Sequence, residues 1–120
     1  MNRRQAREEA FKLLFQMDMN DNHTVKLEKT DEFTQRIVDG VIEKEVEIDQ
    51  ILTDHLENWS LNRIALVEKA ILRIATYEIT FMEDIPFGVS INEAVELAHT
   101  YGDEKSGKFV NGVLSKLIKK

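Results

Sequence analysis

The sequence predicts an all-α protein, and three observations carry that prediction. Pro occurs once and Gly five times in 120 residues, too few for the many tight turns of a β fold. Alternating β-branched runs are scarce, whereas Leu, Ile, Ala, Glu and Lys abound. Apolar positions also recur at helical spacing through most of the chain. The length suits one small domain, 1–120, and a composition 42% hydrophobic and 32% charged belongs to a folded chain rather than a disordered one.

Asn2 can cap a first helix in which Ala6, Ala10, Leu13, Leu14 and Met17 face a core, ending near Asn20. The stretch from Asn20 to His23 favours turns, so a connection is expected over 20–29. Thr30 or Asp31 restarts the helix. Phe33, Ile37, Val41, Ile48, Ile51, Leu52 and Leu56 then share one side, a pattern that fits either one helix to Glu57 or a break near Lys44 to Val46. Trp59 and Ser60 mark a junction, with Ser60 as a candidate cap.

From about Asn62 to Met82 the chain is apolar on most of its circumference, which places that helix at the centre. Its polar strip is Lys69, Arg73, Thr76, Tyr77 and Thr80. Glu78 falls on the apolar side and requires a partner if buried. Pro86 closes this helix. Ser90, Ile91, Asn92 and Glu93 form an S-x-x-E capping box for the next one, and Gly102 stops it. The last helix runs from about Ser106, with Phe109, Val110, Val113, Leu114 and Leu117 as its buried stripe.

Several function classes are excluded. The absence of Cys removes disulfides, thiolate metal sites and a Cys nucleophile. No apolar run approaches bilayer length and no charged-then-apolar leader opens the chain, so a cytoplasmic protein without a membrane partner is expected. Gly102 to Lys108 matches G-x-x-x-x-G-K, but Phe109 stands where a metal-binding Ser or Thr is required, and a helix rather than a strand precedes the loop. His23, His55 and His99 lack the spacing that aims two ligands from one face. No strand-to-helix nucleophile elbow is present. Neither catalysis nor a cofactor is expected.

Charge points elsewhere. The net charge is −6, yet residues 1–12 carry +2 and 105–120 carry +5 around an acidic middle. Arg3, Arg4 and Arg7 can hold phosphate or stack on bases, and Arg4 and Arg7 share a helix side with Phe11 and Phe15. Basic residues interleaved with aromatics suit single-stranded RNA. The plainer alternative is that both Phe side chains are core and the arginines pair with Glu8. Lys105, Lys108, Gly112, Lys116 and Lys119 form a cationic rail on the last helix, which equally fits a solubilising surface. If the terminal helices are neighbours, the two basic ends merge into one patch, extended by Arg73 and Tyr77 unless Tyr77 serves packing. The acidic exterior suits a basic protein partner.

Four segments carry a family resemblance: RRQAREEAFKLLF (3–15), NWSLNRIALVEKAILRIATYE (58–78), IPFGVSINEAVELAHTYG (85–102) and KSGKFVNGVLSKL (105–117). In order and spacing they resemble the bacterial transcription antitermination factors of the NusB family, and the likeness covers nearly the whole chain. It implies two small orthogonally packed helical bundles and a noncatalytic role: binding boxA-type leader RNA of ribosomal RNA operons together with the ribosomal protein NusE, within an RNA polymerase elongation complex. By the same resemblance Arg3, Arg4 and Arg7 match an RNA-facing arginine motif, and Phe109 and Asn111 lie in a carboxy-terminal RNA-contacting segment. Glu68 and Phe15 fall near RNA and partner surfaces.

Two positions depart from the family pattern. Phe15 replaces a common tyrosine, and Lys105 stands where some relatives carry an acid. The resulting expectation is that Arg3, Arg4, Arg7, Lys105 and Lys108 position phosphates, Phe109 or Phe15 stacks, and Asn111 offers an amide. The alternative is a protein adaptor or homodimer that buries the Phe11 and Phe15 side. A fused RNA-modifying enzyme is not expected, since no catalytic segment follows Lys120 in this sequence.

Overall fold

The computed structural model describes residues 1–20, 31–57 and 60–118, and among these it contains six α-helices and no strand. They are α1 (Arg3–Met19), α2 (Glu32–Glu43), α3 (Glu45–His55), α4 (Leu66–Phe81), α5 (Phe87–Tyr101) and α6 (Ser106–Leu117), with a 3-10 turn at Leu61–Arg63 before α4. The connection expected over 20–29, the Thr30 start and the Trp59 junction lie outside the described residues, apart from Asn20.

The start of α1 follows from its first residues. Asn2 Oδ1 accepts from the Gln5 amide at 2.8 Å, and Gln5 Oε1 accepts from the Asn2 amide at 3.1 Å. This reciprocal box satisfies two amides that a helix start leaves open. At α2 the Asp31 carboxylate accepts from the amides of Phe33 and Thr34.

The chain breaks between α2 and α3. Lys44, at φ −103° and ψ 16°, ends one helix and begins the other. The bend turns a single apolar stripe to two addresses: α2 packs on α1 and α4 through Ile37, Val38 and Val41, while α3 packs on α4 and α6 through Ile48 and Leu52.

Helix α4 is the common axis, touching all five other helices. It joins α1 and α2 on one side to α5 and α6 on the other, so the molecule is two small bundles sharing one helix. Ile71, Leu72 and Ile74 are at most 2% exposed, as the sequence required of a helix apolar nearly all round. Thr76 is fully buried rather than part of a solvated strip. The helix also begins later than Asn62. Ser60 precedes the 3-10 turn without a side-chain cap, and Ile64 and Ala65 are extended. Gly40 admits α2 close to α4, because a Cβ there would overlap the Tyr77 ring.

Pro86 plays a different part from the one expected. Helix α4 already ends at Phe81, and Pro86 occupies the N-cap position of α5, its carbonyl accepting from Val89 and Ser90. Its fixed φ suits a helix entry. Ser90 and Glu93 are therefore one and two turns inside α5 and make tertiary bonds instead of a capping box. Gly102 does stop α5, with ordinary extended backbone at φ −98°. Glycine suits that stop sterically, since a Cβ would collide with the Ser106 side chain and the Ala98 carbonyl.

Candidate nucleic-acid interface

Helix α1 presents its three arginines very differently. Arg3 is exposed, its guanidinium 4.7 Å from the centre of the Phe33 ring. Arg4 is exposed as well and grips Glu93 of α5 with two hydrogen bonds, Nε to Oε1 at 3.1 Å and Nη2 to Oε2 at 2.8 Å. Hydrogen bonding from Arg4 holds the Glu93 carboxyl below the usual glutamate range, aided by the charges of Arg4 and Arg7 and opposed by partial burial.

Arg7 corrects the expectation. Its side chain is 4% exposed, and its Nε and Nη2 donate to Glu78 at 2.8–3.1 Å. Ser90 Oγ donates to the same carboxylate at 3.0 Å. The cationic fork is thus already occupied in the interior and cannot meet phosphate at the surface. Arg7 is the partner that a buried Glu78 requires.

A second basic group gathers where α4 and α6 begin. Arg63, Ile64, Ala65, Glu68, Asp103, Lys105, Lys108 and Phe109 line an open cleft of about 540 Å³. Asp103 builds the head of α6: its Oδ1 accepts from the amides of Lys105 at 2.8 Å and Ser106 at 3.1 Å. The Lys105 amide first, then the Ser106 hydroxyl and amide, hold the Asp103 carboxyl below its usual range. The two backbone bonds also occupy the amides a nucleotide phosphate would need, so the G-x-x-x-x-G-K match is not a phosphate loop. The Ser106 hydroxyl accepts from the Asp103 amide and donates to Glu68 Oε2 at 2.8 Å, tying the start of α4 to the start of α6. Lys105, Lys108 and Asn111 are exposed around this junction, and Phe109 is half-buried. Lys116 pairs with Glu57 at 3.4 Å, and Lys119 lies outside the described residues.

The aromatics divide as well. Phe11 is buried, stacked on Phe15 at 5.8 Å and packed on Tyr101 at 4.8 Å, whereas Phe15 is half-buried. Arg4 meets Glu93 and Phe11 meets Tyr101, so α1 and α5 run side by side in the same direction. The arginines therefore mark one end of this pair, and Phe15 lies toward the other end, where α6 begins. Glu8, Glu93 and Glu96 line the groove between α1 and α5 beside Arg4. The basic ends consequently form two sections, each with its own carboxylates, rather than one merged patch. Arg73 and Tyr77 extend neither section: Arg73 grips Asp49 at 2.9 Å and also pairs with Asp18 and Glu45, and Tyr77 packs on Gly40 and Phe81.

Sequence reading missed Arg63, an exposed cation in the cleft. The expected central helix began at about Asn62 and so put Arg63 in its first turn, whereas the structure holds it in a 3-10 turn before α4, beside the start of α6. Among the described residues no group of three His, Asp or Glu could hold a metal ion, and no helix is long and apolar enough to cross a membrane.

Comparison with known proteins addresses the whole chain, since residues 4–119 match the NusB family model. The chain belongs to the NusB family. A NusB relative from Oceanobacillus iheyensis, named a transcription antitermination protein, is 53% identical over 98% of this chain and 99% of its own. The structure of T. maritima NusB superposes with a TM-score of 0.90 at 39% identity, covering 100% of this chain and 92% of that one. A crystal structure of the antitermination factors NusB and NusE in complex with dsRNA aligns with a TM-score of 0.83 at 32% identity, over 96% and 94% of the two chains. The all-helical fold with α4 at its centre is thus a NusB fold.

Proposed function

We propose that this chain is a noncatalytic transcription antitermination factor, acting as a single domain in the cytoplasm, that binds boxA-type leader RNA of ribosomal RNA operons jointly with NusE. In this reading it works within an RNA polymerase elongation complex. The observation that carries the reading is the cleft at the head of α6, which Arg63, Lys105 and Lys108 line together with Phe109. Cations beside an aromatic side chain suit a strand whose phosphates and base faces are both accessible. The antitermination relatives and the structure of NusB and NusE with dsRNA support it.

Within this reading Lys105 and Lys108 neutralise phosphates at the cleft, and Arg3 and Arg4 do so along α1. Phe109 or the outer face of Phe15 stacks on a base, and Asn111 offers its amide. Arg7 contributes by fixing α1 against α4 rather than by touching RNA. Glu68, fixed by Ser106 at the rim of the cleft, serves the protein partner. A patch this small supplies mainly charge attraction, so sequence preference arises on the surface shared with NusE.

The test measures binding of boxA RNA, a scrambled strand and a boxA duplex, with and without NusE, at two salt concentrations. The expected result is weak binding alone, and a gain from NusE that favours single-stranded boxA over both controls. Equal gains for boxA and the scrambled strand would contradict the reading. Dimers that form without any RNA affinity would support a protein adaptor instead.

A further inference from the structure

The contact between Arg4 and Glu93 holds a carboxylate where a phosphate would sit. Two parallel N–H to oxygen bonds, at 3.1 and 2.8 Å, are the fork geometry by which arginine holds either anion. The two partners are unequally placed. The Arg4 side chain is 67% exposed and can swing to an incoming strand, whereas Glu93 is 14% exposed and fixed on α5. Glu93 also has a second cation, Arg7 Nη1, at 3.9 Å, so it is not left alone when Arg4 departs. Arg7 itself stays bound to Glu78.

We infer that Glu93 is an affinity-setting residue: it occupies Arg4 in the free protein and releases it to an RNA phosphate. This rests on the RNA-binding function proposed above and adds an internal competitor to it. The exchange replaces one anion by another at Arg4, so each RNA contact made there works against a standing ion pair. Glu8 and Glu96 line the same groove and repel phosphate without hydrogen-bonding Arg4, which makes them a built-in comparison.

The experiment compares RNA affinity of the full chain with Glu93→Gln, Arg4→Gln and the double variant, using the boxA strand with NusE present. Glu93→Gln keeps the shape and removes the charge. It is expected to tighten RNA binding roughly two- to fivefold, the strength typical of an exposed ion pair. Arg4→Gln is expected to weaken binding, and the double variant to exceed Arg4→Gln only by the small general gain of removing one carboxylate from the groove, because no Arg4 remains to be released. Glu96→Gln gives the contrast, a smaller gain that persists when Arg4 is Gln.

An unchanged or weakened affinity for Glu93→Gln, or a gain that survives undiminished in the double variant, overturns the inference while leaving the RNA-binding reading intact. Absence of RNA binding by the parent chain removes that reading, and the inference with it. Should Glu93→Gln fold poorly, NMR on the parent decides: RNA is expected to shift the Arg4 Nε–H and Glu93 carboxyl resonances together. Saturation with RNA that moves neither resonance overturns the inference.

Discussion

At the scale of single residues, Arg7 and Glu78 show how a charge in the sequence acquires its meaning from one partner. Periodicity put Glu78 on the apolar side of its helix, so a partner was required, but 71 residues separate it from the group that supplies one. The pair is 4% and 1% exposed, with Ser90 completing the carboxylate's bonds. Removing one member strands the other in a medium that cannot solvate it. Arg7→Ala is therefore expected to lower unfolding free energy by about 3–5 kcal/mol, read from urea denaturation. A loss under 1 kcal/mol would show that water or a neighbour replaces the guanidinium. Arg4→Ala, one turn away and exposed, is expected to leave the midpoint nearly unchanged.

At the scale of elements, helix contacts decide which glycines matter. Gly40 is where α2 meets α4, and an added Cβ would overlap the Tyr77 ring, which is packed on Phe81. Gly112 lies on the exposed side of α6 with open space around it. Gly40→Ala is expected to destabilise by about 1–3 kcal/mol through overpacking, outweighing the gain in helix propensity. Gly112→Ala has only that gain, about 0.5–1 kcal/mol. Opposite movements of the thermal midpoint are expected. Movement in the same direction would mean that Tyr77 yields freely.

At the same scale, most element boundaries were readable because capping is local. Asn2 with Gln5 and Asp31 with Phe33 act within three residues. The S-x-x-E segment misled for the same reason. It is a sound local cap, but Pro86 had already begun α5, which left Ser90 for Glu78 and Glu93 for Arg4. The break at Lys44 was one of two patterns that periodicity allowed, and packing on two different partners selected it.

At the scale of the molecule, a chain of net charge −6 is proposed to hold RNA with locally cationic surfaces. Attraction to phosphate then depends on salt, by about 0.7 in logarithmic slope for each phosphate neutralised on a single strand. Lys105 stands exposed on the cleft, so Lys105→Asp is expected to weaken RNA binding and flatten that slope by about one phosphate's share. Identical affinity and slope in parent and variant would remove Lys105 from the interface. Within the site, Lys105, Lys108 and Phe109 were legible because α6 has regular periodicity. Arg63 was not, because its basic neighbours in the cleft come from the start of α6, far along the chain, and Arg7 was misread because helix spacing gives a direction but no partner.

By itself the sequence determined the helical class, the central place of α4, the need of Glu78 for a countercharge and the absence of cysteine chemistry. Each of these follows from composition or from periodicity within one helix. Only the tertiary structure decided which charges remain available. Arg7 is consumed in the interior, Arg4 is held by Glu93, Arg73 is gripped by three carboxylates, and Lys105 and Lys108 stay exposed. The physical reason is that ion pairing acts through space over a few ångströms, between groups that folding brings together from distant parts of the chain.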